Sequence, residues 1–266
     1  MDDKTRTDKM LSRKEGGVGY VIFNNPERHN AVSLDMWAAT TDILESFRND
    51  PEVRVVVVTG AGGKAFVSGA DISKFESERS SADAVAHYNV TVAKANATVA
   101  EFPKPTIAMI KGYCIGGGLG LALCCDMRIA SENSKFGVPA AKLGLGYAYP
   151  GLKRLVDVVG PAFAKEIFYT GRQFDVAEAL AMGLINRAVP ADDLEGYVKN
   201  YADTIAGNAP LTLKAVKFIV GETVKDESKR DLAQADKLVA DCFASQDYIE
   251  GRTAFMEKRK PVFTGK

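Results

Sequence analysis

Short apolar blocks separated by polar turns fill the chain up to about residue 190, and helical spacing takes over after that. Residues 18–23 predict a strand ended by Asn25-Pro26. Ser33 stands at a helix N-cap, and Leu34, Trp37, Leu44 and Phe47 follow at helical spacing, so one face of that helix is buried. Asp50-Pro51 stops it. Residues 53–59 are a near-continuous β-branched run, the pattern of a strand covered on both faces. A helix is predicted over 80–101, closed by Pro103 and Pro105, then a strand over 106–110, a helix over 119–125 and a strand over 127–130. Helices follow over 161–169 and 175–182, the second opening with the capping-box pair Asp175 and Glu178, and then a short strand over 185–189. From Asp192 on the chain reads as helix, punctuated at Pro210, Gly221 and Asp226. Strand–helix alternation followed by helices alone predicts an α/β core with a C-terminal helical subdomain.

The division expected from this pattern is a disordered tail over 1–17, a core over 18–205 and the helical subdomain over 206–266. The tail is assigned from its polar, mixed-charge sequence MDDKTRTDKMLSRKEGG, which fits neither a signal peptide nor an acid-free transit peptide. No apolar run approaches a membrane span. Lys plus Arg and Asp plus Glu both number 34, and this zero balance disfavours a nucleic-acid binder. The four cysteines lack disulfide spacing and suit a reducing compartment, so the cytoplasm is expected.

The chemistry concentrates in two glycine-bearing loops. The first reads Lys64-Ala65-Phe66-Val67-Ser68-Gly69-Ala70-Asp71-Ile72, the second Lys111-Gly112-Tyr113-Cys114-Ile115-Gly116-Gly117-Gly118-Leu119-Gly120. Glycines there admit positive φ and close ligand approach, and free backbone N–H groups at such turns can receive an oxyanion. A dinucleotide site fails on spacing, because the third glycine position falls on Leu121 and no acid follows at roughly 20 residues. A phosphate loop fails for want of Gly-Lys-Ser/Thr. Ser68 is not a nucleophile elbow, since Phe66 occupies the first glycine position. A tight turn that merely packs remains the plain alternative.

Taken together and in order, the two loops resemble those of the crotonase (enoyl-CoA hydratase/isomerase) superfamily. The resemblance runs from about Val18 to Phe263 and includes Phe136-Gly137-Val138-Pro139, Leu143-Gly144 and the terminal stretch around Glu250-Gly251-Arg252 and Glu257-Lys258-Arg259. It implies a spiral of ββα units, trimers or dimers of trimers, and a CoA thioester as substrate. No metal or redox cofactor is implied, and coenzyme A enters only as part of the substrate. The implied oxyanion donors are the N–H groups of Ala70 and Gly117. Asn25-Pro26 through Asn30-Ala31 matches the loop for the CoA nucleotide. Arg28 is the natural phosphate partner there, since a guanidinium pairs two oxygens, and Ala31 closes the loop. Ser68, Asp71 and Ile72 flank Ala70 as substrate-contact candidates, although Asp71, like Asp126, equally suits a structural carboxylate accepting backbone N–H groups. Lys258 and Phe263 are candidates for completing a neighbouring subunit's site.

The family's two hydratase glutamates fall on Gly120 and Ala140. Neither residue can move a proton, so ordinary enoyl hydration is not expected. Decarboxylation, isomerisation or another enolate-type lyase reaction is expected instead, with a silent acyl-CoA binder as the alternative. Tyr147 falls where relatives with other chemistry place a functional polar residue, and it can equally be a core tyrosine; Tyr149 is a weaker candidate of the same kind. His87 can carry protons near neutral pH or simply face solvent on its helix. Two histidines, His29 and His87, do not make a metal site.

Overall fold

Strands β1 (Met10–Glu15) and β2 (Val18–Phe23) form an antiparallel hairpin across Gly16-Gly17. Gly16 has φ +57°, as a two-residue hairpin turn requires. The computed structural model describes residues 7–74 and 80–266. Within them the hairpin corrects the expected tail: residues 10–15 are a paired strand, not a disordered one. Met10 is fully buried, while Arg13, Lys14 and Glu15 keep an edge strand charged toward solvent. It was the charge that read as disorder.

From β2 the large sheet grows by parallel pairing through β3 (Val55–Gly60), β5 (Thr106–Ile110), β7 (Met127–Ser131) and β9 (Arg187–Val189). A second, smaller parallel sheet holds β4 (Ala65–Val67), β6 (Tyr113–Ile115) and β8 (Lys135–Gly137). Each pass of the chain therefore gives one strand to each sheet and then a helix. After β3 and β4 comes α2 (Ala82–Ala100), after β5 and β6 α3 (Gly117–Ala122), and after β7 and β8 α4 (Tyr149–Thr170). This is the expected spiral of ββα units.

The valine run of β3 is explained by two cores. Val56 and Val58 face one built on Phe23, Trp37, Phe47, Phe66 and Phe136, which includes α1 (Leu34–Asn49). Val55 and Val57 face the other, covered by Leu194, Val198 and Ala202 of α6 (Leu194–Ala206). Alternate side chains thus bury on opposite faces, as a doubly covered strand must. Between α4 and α6 lies α5 (Val176–Ala181), held by the predicted capping box of Asp175 and Glu178.

Helices α7 (Pro210–Thr223), α8 (Leu232–Phe243) and α9 (Gln246–Glu257) complete the chain. Lys217 anchors α7 to the core through Asp126 (2.8 Å) and the Lys104 carbonyl (2.9 Å). The last residues fold back on α9, where the Asp247 carboxylate accepts the amides of Thr264 (2.7 Å) and Gly265 (2.8 Å). Val220, Phe243, Phe255 and Met256 remain exposed along α7–α9. No helix among the described residues is long and apolar enough to cross a membrane.

Candidate functional site

The first glycine loop leaves β4 and is stitched to the segment before α1. Val32 N–H donates to Gly69 O, and Asp71 N–H donates to Val32 O, both at 2.9 Å. In this parallel bridge the groups on either side of Ala70 are used, and Ala70 N–H itself has no partner among the described residues. Gly69 has φ +108°, open only to glycine at low cost.

The second loop leaves β6. Gly116 (φ +57°, ψ −118°) is the N-cap of α3, and its N–H donates to Gly137 O at 2.8 Å. Gly117 opens the helix, so its N–H belongs to the first turn that α-helices leave unpaired. It too has no partner among the described residues. The loops face each other closely: a Cβ at Gly69 would stand 3.9 Å from Gly117 N, and one at Gly117 would stand 4.0 Å from Gly69 Cα. Gly118 makes that approach possible, because a Cβ there would lie 2.0 Å from Val67 O. Trp37, almost fully buried, packs beneath, with Cζ2 3.7 Å from the Cβ position of Gly117. Its helical spacing marked Trp37 as core, and only the fold places it under the loop.

Around these amides, the two positions expected to lack acids, 120 and 140, differ in their surroundings. A Cβ at Gly120 would meet nothing within 4 Å, whereas Ala140 is buried at 4% exposure. Gly116 and Gly120 are one turn apart on the same face of α3. Tyr147 brings its hydroxyl to that face, 4.0 Å from the Cβ position of Gly116, with its ring edge-on to Phe168 at 4.9 Å. Tyr149 is 75% exposed and His87 faces solvent. Tyr147 is thus the proton-carrier candidate whose polar atom stands at the glycine face among the described residues.

The expected nucleotide loop sits beside the first glycine loop. Asn30 locks it from inside: its carboxamide accepts Asn25 N–H (2.9 Å) and donates to Ala61 O (2.9 Å) and Ala65 O (2.7 Å). Ser68 N–H donates to His29 O at 3.2 Å, and Ala31 N–H to Arg28 O at 3.0 Å, so Arg28, Ala31 and Ser68 are drawn together. Arg28 reaches Asp71 (3.3 Å) and Ser73 Oγ with its side chain still half exposed. Asp71 is buried, and its carboxylate accepts Ser73 N–H (3.1 Å) and Ser73 Oγ–H (2.6 Å). Burial opposes its charge, but those bonds and Arg28 outweigh it and hold the carboxyl below the ordinary aspartate range. This is the structural role weighed for Asp71. Its bonds to Ser73 set the short turn Ile72–Lys74, on whose backbone Ile72 follows. Asp126 is structural as well, accepting Thr106 N–H (2.7 Å) and Lys217.

Lys258 and Phe263 are not brought to these loops within one chain. Phe263 O accepts from Arg54 (2.8 Å), and Arg54 N–H donates to Gly17 O, before β2 begins. The nucleotide loop follows the other end of β2, a separation of roughly 20 Å for a six-residue strand. Lys258 caps α9 in the left-handed region and is exposed. Cys114, Cys124 and Cys125 are buried free thiols, and Cys242 is partly exposed. Burial pushes the Cys114 and Cys125 thiols far above their usual range and Cys124 up to about 11. The described residues include no cluster able to hold a metal ion.

The family model for enoyl-CoA hydratase/isomerase matches residues 13–266. A crotonyl-CoA hydratase of Syntrophomonas wolfei subsp. wolfei is 34% identical over 259 residues, covering 97% of this chain and 99% of the relative. The crystal structure of an enoyl-CoA hydratase/carnithine racemase from Magnetospirillum magneticum superposes with TM-score 0.90 at 39% identity, covering 98% and 97% of the two chains. That of an enoyl-CoA hydratase from Bacillus anthracis gives TM-score 0.89 at 30% identity, covering 97% and 100%.

Proposed function

The chain belongs to the enoyl-CoA hydratase/isomerase family, and from that membership we propose that it stabilises the enolate of an acyl-CoA thioester between Ala70 N–H and Gly117 N–H. One observation carries this reading: two unspent backbone amides stand on facing loops, with the Cβ position of Gly69 3.9 Å from Gly117 N. Donors fixed in advance at a developing negative oxygen need no reorganisation when charge arrives, which is where their catalytic effect lies. Arg28 and the loop around Ala31 and Ser68 take the CoA phosphates, since a half-exposed guanidinium fits two phosphate oxygens.

The reaction is an enolate reaction other than ordinary hydration. Relatives' names speak of hydratases, and that activity is theirs. Here Gly120 and Ala140 can neither activate water nor protonate carbon. Decarboxylation or isomerisation needs fewer acids, because the oxyanion donors carry most of the stabilisation. Tyr147 supplies the polar group, orienting the departing portion or delivering the proton. Tyr147→Phe is expected to slow turnover about 100-fold, at the lower end for a lost general acid, with the Kd for CoA product unchanged. Product mass across a panel of CoA thioesters is the measurement. Wild-type rates in the phenylalanine variant would remove Tyr147 from the chemistry.

The missing acids also favour a second reading, a catalytically silent acyl-CoA binder. The two part on infrared spectra of a carbonyl-labelled thioester together with turnover. A carbonyl band lowered on binding, with turnover of at least one thioester, supports the enzyme; a lowered band with none across the panel supports the binder. An unshifted band removes the oxyanion site from both.

The same family membership supports a trimer or dimer of trimers, in which a neighbouring copy covers Val220, Phe243, Phe255 and Met256 and brings Lys258 and Phe263 to the site in trans. Sedimentation of the purified chain is expected to give three or six copies; a monomer at micromolar concentration would exclude it. Four free thiols, three of them buried, suit a reducing cytoplasm.

A further inference from the structure

We infer that Arg128 is a positioning residue for the Gly117 donor: its buried guanidinium ties down the far end of α3 and so keeps the first amide of that helix aimed at the thioester oxygen. The inference rests on the enolate reading above and adds to it a residue that never touches substrate.

The helix needs holding. It is six residues long, and Gly117, Gly118 and Gly120 make up half of it. Glycine is among the poorest helix formers, and a helix this short has no stability of its own. Neighbours therefore impose its shape. At the front, the backbone of Gly118 lies against Val67. Along its length, Leu119 and Leu121 pack into the core. The two ends differ. Gly117 N–H has no partner among the described residues, whereas the carbonyls of the last turn are taken. Leu119 O accepts Leu123 N–H (3.0 Å), Gly120 O the Cys124 thiol (3.2 Å), Leu121 O the Cys124 N–H (3.0 Å) and Ala122 O the Cys125 N–H (3.2 Å).

Arg128, on β7, stands at that closed end and is only 6% exposed. Its Nη1 donates to Cys125 O at 2.9 Å and, more weakly, to Ala122 O at 3.5 Å. Its Nε donates to Leu184 O at 2.7 Å, in the turn between α5 and β9. One planar group thus joins the end of α3 to a distant segment of the chain. Arg128 is itself fixed: its backbone N–H donates to Asn186 Oδ1 and its carbonyl accepts Asn186 N–H, each at 2.8 Å. A guanidinium stays charged at any working pH, and a cation suits the negative end of a helix.

Burying a guanidinium among neutral carbonyls is unfavourable, and an apolar side chain of similar volume often fills such a place with less penalty. Arginine supplies what an apolar residue cannot, donors at fixed angles that hold carbonyls of two segments in one plane. Ala122 lies roughly 8 Å behind Gly117 along the helix axis, so a tilt at the guarded end is passed to the amide at the other. Rates respond steeply to such errors: a misplacement of about 1 Å caused far from the chemistry can lower them about 100-fold.

The test binds acetyl-CoA, labelled at its carbonyl, to the wild type, Arg128→Met and Arg128→Lys. It reads the infrared carbonyl band, the Kd and amide hydrogen exchange. In Arg128→Met the band is expected to move back toward its solution position and broaden, while the Kd stays near wild type because the nucleotide loop is untouched. The Gly120 amide, bonded to Gly116 O at 3.1 Å, should exchange faster while the amides of β5 stay protected. Arg128→Lys keeps the charge without the planar fork and should fall between. For any thioester that turns over, kcat should drop about 10- to 100-fold in Arg128→Met with KM little changed. A merely structural arginine would lower the melting temperature and leave the band and kcat of the folded protein as in the wild type. That result in folded Arg128→Met overturns the inference; where the methionine variant does not fold, the same result in Arg128→Lys overturns it. An unshifted band in the wild type defeats the enolate reading itself, while a shifted band that both substitutions leave unchanged defeats only the role of Arg128.

Discussion

Gly117→Pro is expected to lower kcat on the preferred thioester by roughly 100- to 1000-fold, the usual effect of deleting one oxyanion donor. Proline removes the N–H and sets its ring Cδ where the hydrogen pointed, so it deletes the donor and crowds the oxygen's place. Gly117 is the first residue of α3, where proline's missing donor has no intrahelical partner to lose and its fixed φ suits the helix. Its Cβ would meet Trp37 Cζ2 at 3.7 Å and Gly69 Cα at 4.0 Å, both ordinary contacts. The melting temperature is therefore expected to stay within a few degrees of wild type. Gly117→Ala places the same Cβ but keeps the donor, so it should retain activity. The infrared band of a bound thioester reports the same loss without turnover, moving back toward its solution position in the proline variant alone. Full activity in a folded Gly117→Pro protein would exclude this amide from the mechanism.

That donor was legible in the sequence because glycine marks a backbone requirement that few other residues meet. Gly69 and Gly116 have positive φ, and Gly118 lies against Val67 O, so the loops advertise themselves wherever they occur. Strands over 18–23 and 106–110 were legible to the residue, since apolar runs ended at Asn25-Pro26 and began after Pro105. The small sheet was not. Its strands are three residues long, too short for any period, and they pair only because the spiral stacks successive turns. The first half of α4 was missed for a related reason. Pro150 and Gly151 punctuate it like a loop, yet Pro150 sits in the first turn, and the non-helical Gly160 (φ +74°, ψ 167°) is a kink that separates this segment from the helix predicted over 161–169.

On the proposed reading, placing carboxylates at positions 120 and 140 is expected to create hydratase activity. The double variant Gly120→Glu with Ala140→Glu is expected to hydrate crotonyl-CoA at least about 100-fold faster than the parent, within the range general acid–base groups supply. The positions will contribute unequally. Glutamate at 120 enters open space on the Gly116 face, near the Tyr147 hydroxyl, and should ionise normally as the base that activates water. Glutamate at 140 replaces a residue only 4% exposed. Burial there raises its pKa toward neutrality, which suits an acid returning a proton to carbon but costs stability unless a donor is found. Gly120→Glu alone should fold as the parent does and hydrate weakly, and the second glutamate should raise the rate while lowering the melting temperature. Rapid hydration of crotonyl-CoA by the unmodified chain, reduced by no substitution outside the oxyanion loops, would show that water can be activated here without either acid.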